Sequence, residues 1–192
     1  MSLRLFRTTE YKALAYRLAL AYIFYFLSRL SFYSFNKAHL HIEGIADFFR
    51  LAFYGLLFDT TAIIYVNLLF IFLSVLPLLI NTKKSFQKVL FWVYFACNIP
   101  AYLLNFIDIV YFSYNKTRLT TNDWALVENE HNPLTLMVGF LVQYWAIFAV
   151  FLVLIVLWIF LYKKVQVREE EVTHRRPYFI TSAIVLVLLA PT

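Results

Sequence analysis

The sequence predicts an all-α polytopic transmembrane bundle, with four full spans, a truncated fifth, and a short interfacial helix before the second. Three observations carry this prediction. The residues are 62% hydrophobic and 20% aromatic, with a mean hydropathy of +0.72, well beyond the near-half apolar content of soluble domains. The apolar residues fall in runs matching the roughly 20 residues a helix needs to cross hydrocarbon. Only 3 Gly and 5 Pro occur in 192 residues, too few turn residues for the short alternating strands of a membrane barrel, which leaves helices as the spanning element.

The first span, 13–35, follows a basic leader containing Arg4, Arg7, Lys12 and Arg17. It is longer than the apolar region of a signal peptide and contains Arg29. It runs into Tyr33, Phe35 and Asn36 rather than a small-residue cleavage site, so it is expected to remain as an anchor. The next apolar stretch, 45–80, is too long for one untilted span and divides near Tyr54 and Gly55. Its amphipathic first part, 47–53, reads as an interfacial helix, and 56–80 reads as the span, with Pro77 near its far end, where a missing backbone donor costs least. The third span is 89–112. The fourth is 134–162, preceded by Pro133 in the first turn, where helices accept proline. The fifth, 178–192, follows Arg175, Arg176 and Pro177. Its apolar run reaches only about two-thirds of the way across at roughly 1.5 Å per residue, so the span reads as interrupted.

Charge orients the bundle. Arg4, Arg7, Lys12, Arg17, Lys83, Lys84, Lys88, Lys163, Lys164, Arg168, Arg175 and Arg176 fall on one side of the spans, against Lys37, Lys116 and Arg118 on the other. The positive-inside bias then predicts a cytoplasmic N-terminus, with 36–45 and 113–132 as outer loops. It also explains the net charge of +6 without a nucleic-acid partner, since no basic stretch outside the spans is interleaved with stacking aromatics. The single cysteine, Cys97, excludes an internal disulfide. The sequence has no internal repeat and no paired broken helices of the kind that build inverted-repeat transporters.

Ionisable groups within spans are costly and therefore candidate functional residues; here they are Arg29, Asp59 and Asp108, all expected in the outer leaflet. Arg29 can pair with Asp59 or Asp108 to fix helix packing, snorkel to the interface, or hold the phosphate of a phospholipid or polyprenyl headgroup. Asn98, Tyr102, Asn105 and Asp108 recur at helical spacing as one polar stripe, suited to interhelical hydrogen bonding or to the same headgroup. His39, His41 and Glu43 alternate in an outer loop, but three ligands from one short segment make a weak metal site, and none is assigned. His131 and His174 read as solvated loop residues, and the charged stretch 168–176 as a solvated connector. Asn115-Lys116-Thr117 matches the N-glycosylation pattern, which matters only in a secretory pathway. No catalytic residue is assigned, because no nucleophile elbow, phosphate-binding glycine loop or zinc helix is present.

Two passages carry a family resemblance. Gly55-Leu56-Leu57-Phe58-Asp59-Thr60-Thr61-Ala62-Ile63-Ile64-Tyr65, leading to Leu76-Pro77, resembles the second-helix pattern of the lipoteichoic-acid-synthase-like branch of the alkaline phosphatase/sulfatase superfamily. Asp108-Ile109-Val110-Tyr111-Phe112, continuing through Asn115-Lys116-Thr117-Arg118-Leu119-Thr120 to Asp123, is similar to that family's junction between third helix and outer loop. The resemblance implies a five-helix membrane domain followed by a large extracytoplasmic catalytic domain with a threonine nucleophile and a divalent metal. The whole protein would be a phosphoglycerol or phosphoethanolamine transferase, or a sulfatase. It implies no cofactor and no catalytic residue in this chain, and Thr192 is not read as the nucleophile because it belongs to the fifth span. The alternatives are a small polytopic membrane protein, such as a transporter subunit or accessory protein with an outer-leaflet polar site, or a purely structural anchor.

Overall fold

The computed structural model describes residues 8–40, 44–76, 80–120 and 133–167. These form α1 (Thr8–Asn36), a 3-10 turn (Lys37–His39), α2 (Ile45–Val66), α3 (Leu68–Val75), α4 (Lys84–Asn115), α5 (Pro133–Gln143) and α6 (Trp145–Lys164). Among the described residues, four helical stretches are long and apolar enough to cross a membrane: Thr9–His39, Ala46–Val66, Lys84–Asn115 and Trp145–Lys164. Between 17% and 33% of each stretch is buried inside the bundle. The rest turns large apolar side chains outward, Phe58 at 77% exposure and Tyr65 at 70% among them, a distribution suited to lipid and untenable in water. The chain is a multi-pass membrane protein.

The parallel pair α1 and α4 forms the centre, with α2 and α3 packed on one side and α6 on the other. Aromatic rings fill the seams. Phe24 of α1 stacks on Trp158 of α6 with centroids 4.7 Å apart, and Tyr94 of α4 meets the Trp158 ring edge-on at 5.9 Å. Tyr94 accepts a hydrogen bond from Trp158 Nε1 at 3.1 Å and donates to the Arg17 carbonyl at 2.9 Å. One residue thus ties α1, α4 and α6 together and gives the buried indole N–H a partner.

The helices divide differently from expectation in two places. The expected interfacial segment, 47–53, is the beginning of α2, which runs unbroken through Tyr54 and Gly55. The interruption falls instead at Asn67, between α2 and α3. Its side-chain Nδ2 donates to the Ile63 carbonyl at 2.9 Å, the same carbonyl that accepts its backbone N–H at 3.0 Å. The fourth apolar stretch breaks at Tyr144, leaving α5 ahead of a 20-residue α6 that covers about 30 Å by itself. α4 exceeds its expected bounds and continues through Pro100, whose missing N–H forgoes the bond to the carbonyl four residues back. The fifth span lies outside the described residues.

The up-and-down path gathers Lys12, Lys83, Lys84, Lys88, Lys163 and Lys164 at one end of the bundle, near the start of α1 and α4 and the end of α6. The opposite end carries the polar cluster described next.

Candidate functional site

Arg29 lies seven residues before the end of α1, about 10 Å from it along the axis. Its guanidinium meets Asp59 of α2 side-on: Nη2 donates to Oδ1 at 2.7 Å and Nε to Oδ2 at 3.2 Å. Nη2 also donates to the Gly55 carbonyl at 3.1 Å. Of the two carboxylates available to Arg29 in the sequence, the structure selects Asp59. The pair is partly buried, with 29% of the Arg29 side chain and 18% of the Asp59 side chain exposed. A side-on Arg–carboxylate pair fixes both groups in angle as well as distance.

Gly55 makes this possible. A Cβ at position 55 would overlap the Arg29 guanidinium. The residue read as a division in the apolar stretch is therefore the seat of the arginine, one turn before Asp59 on the same face of α2.

Asp108 of α4 pairs with Arg118. The Arg118 Nε donates to Asp108 Oδ2 at 2.8 Å, and the Leu119 N–H donates to Oδ1 at 2.8 Å. The chain reverses to allow this because Lys116 caps α4 in the left-handed conformation, φ 62°, with its N–H on the Phe112 carbonyl at 2.9 Å. The Arg118 guanidinium also lies over the Phe32 ring of α1, 4.4 Å from its centroid, a cation–π contact. Nearby, Asn36 donates to the Ile109 carbonyl at 3.2 Å and accepts from Ser113 Oγ at 2.7 Å, locking the end of α1 to α4.

Between the two pairs is a polar cleft of about 20 Å³ lined by Tyr25, Ser28, Arg29, Phe32, Asp59, Asn105 and Arg118, room for about one water-sized group. Tyr25 is 5% exposed, and its buried hydroxyl has no hydrogen-bond partner among the described residues.

The polar stripe of α4 divides among three environments. Asn98 sits mid-bundle in a reciprocal amide pair with Asn67, Nδ2 to Oδ1 at 2.7 Å one way and 3.1 Å the other. Tyr102 belongs to the aromatic core, against Trp158 at 5.3 Å and Phe151 at 5.9 Å. Asn105 and Asp108 alone reach the Arg29 end, Asn105 in the cleft wall and Asp108 as the partner of Arg118. The sequence reading missed Gly55 as a seat, Tyr25 and Ser28 in the cleft wall, Arg118 and Asn67. A lone amide in an apolar run was signal enough for Asn67. Arg118 follows the helix it pairs with and carried no such signal.

His39 is exposed in the 3-10 turn. His41, Glu43, Asp123, His131, His174 and the segment 168–176 lie outside the described residues. Among the described residues no three His, Cys, Asp or Glu side chains converge. A scan of protein-family models and searches of curated proteins and of solved structures find no match to this chain.

Proposed function

We propose that this chain is the membrane-anchoring domain of a sulfatase-superfamily phosphoglycerol or phosphoethanolamine transferase, or of a sulfatase, whose catalytic residues and divalent metal lie outside these residues. The observation that supports this reading is where the two resembling passages meet. Gly55 and Asp59 come from one, Asp108, Arg118 and Leu119 from the other, and both serve the polar cluster at one end of the bundle. In this reading the domain sits in the bacterial cytoplasmic membrane with its N-terminus and Lys-rich end inside, and the cluster faces the outer headgroups. Anchoring holds a catalytic domain at the surface where lipid donors are concentrated, which raises the effective concentration of the donor. The cluster serves a phospholipid or polyprenyl headgroup.

The test is the size of the native product, detected in its own membrane with an antibody against the 1–17 leader. The expected result is a band several times heavier than the 22.8 kDa of this chain. A native band near 22.8 kDa would overturn the reading in favour of a small polytopic protein.

A further inference from the structure

Three donor groups around the Arg29 cleft are left unfilled, beside acceptor lone pairs on Asn105 Oδ1 and on Ser28 Oγ, whose proton goes to the Tyr25 carbonyl. Arg29 spends Nε and Nη2 on Asp59 and Gly55, and Arg118 spends Nε and Nη2 on Asp108. Among the described residues no acceptor reaches Nη1 of either guanidinium. The Tyr25 hydroxyl, enclosed in a residue 5% exposed, is likewise without a partner. Both oxygens of Asp59 are already taken by Arg29, so the carboxylate in the wall has its charge met and offers little to a cation. Two guanidiniums and a free hydroxyl in the wall, with space for a single oxygen-sized group, favour an acceptor there, and an anionic oxygen satisfies them better than a neutral one.

The geometry points to a phosphoryl-binding site. One oxygen of a phosphate ester enters between Arg29 and Arg118 and accepts from the Tyr25 hydroxyl, while the rest of the headgroup lies at the mouth. The paired aspartates act as positioning residues that hold each guanidinium by one edge and leave the other edge free. The site is about 10 Å along the axis from the end of α1, and the Arg118 side chain is 58% exposed, so the cleft is open to a group arriving from that end of the bundle. This deepens the lipid-headgroup part of the proposed function and rests on it for the source of the phosphate, while the donor geometry is independent of it.

The experiment titrates a fluorescent short-chain phosphatidylglycerol against the full chain in dodecyl maltoside micelles, a phosphate-free detergent, with the matching diacylglycerol as control and inorganic phosphate as competitor. Tyr25→Phe removes only a hydroxyl and keeps the ring in the core; Arg118→Gln alters an exposed side chain and spares the Arg29 pair. The expected result is saturable binding of the phosphatidylglycerol and none of the diacylglycerol, with affinity about tenfold weaker in each variant, the loss of one charge-assisted hydrogen bond, at unchanged melting temperature. Displacement by millimolar phosphate would keep the phosphoryl site and make a soluble ester its source. Equal affinity in wild type and Tyr25→Phe, or equal binding of the diacylglycerol, would overturn it, leaving a cleft that holds water. A native band near 22.8 kDa would end the transferase reading and leave this result standing.

Discussion

Gly55 shows how a residue with no side chain can place one that has a long one. Arg29 lies on α1, its carboxylate on α2, and the two meet only because the surface of α2 is bare one turn before Asp59. Gly55→Ala is therefore expected to push the guanidinium off its seat although alanine is the better helix former. The expected cost is about 1–3 kcal/mol, that of a partly buried polar group losing its partner, read as a lower melting temperature in detergent by tryptophan fluorescence. A melting temperature equal to or above that of wild type would mean that Arg29 has another resting place and that the pair with Asp59 is incidental. Arg118 differs: its side chain is 58% exposed although that of Asp108 is only 14% exposed, and an ion pair with one solvated partner contributes about 1 kcal/mol.

Between helices, a fully buried polar tie is the amide pair of Asn67 and Asn98. It lies where α2 gives way to α3, so the asparagine at the break is also the one that grips α4. In hydrocarbon such hydrogen bonds stabilise by about 0.6–2 kcal/mol, because the separated helices find other partners. Asn98→Leu should cost about 1–2 kcal/mol in guanidinium or thermal unfolding by stranding Asn67. The double variant Asn67→Leu with Asn98→Leu should recover part of that loss, since it strands nothing. A double variant that merely adds the two single losses would show that the amides are uncoupled.

For the whole molecule, the arrangement of charge makes a directional prediction. With Cys97 replaced by Ser, single cysteines at Lys83 and at Lys116 report on opposite ends of α4. In intact cells a membrane-impermeant thiol reagent is expected to label Lys116→Cys and spare Lys83→Cys until the membrane is opened. The reverse pattern would invert the bundle and turn the phosphoryl cleft towards the cytoplasm. The ends are distinguished by more than charge: the Lys-rich end closes around the buried Arg17, which donates to Gln87 at 2.9 Å and stacks 4.5 Å over the Tyr162 ring.

What the sequence determined by itself was the solvent and the element type, since a chain 62% hydrophobic with backbone groups to satisfy in lipid has helices as its outlet. The same rule marked Arg29, Asp59 and Asp108 as residues that needed partners, because charge in hydrocarbon is costly wherever it lies. Which partner each took was decided by tertiary structure. Arg29 faces two carboxylates in the sequence, and the choice of Asp59 depends on the bare surface at Gly55 and on the angle between α1 and α2. Asp108 found its cation on its own chain ten residues later, through a left-handed turn at Lys116 that no pattern of hydropathy encodes. Hydropathy repeats along one helix at a time, whereas a polar contact in a bundle depends on how two helices are rotated and shifted against each other, and only packing sets that.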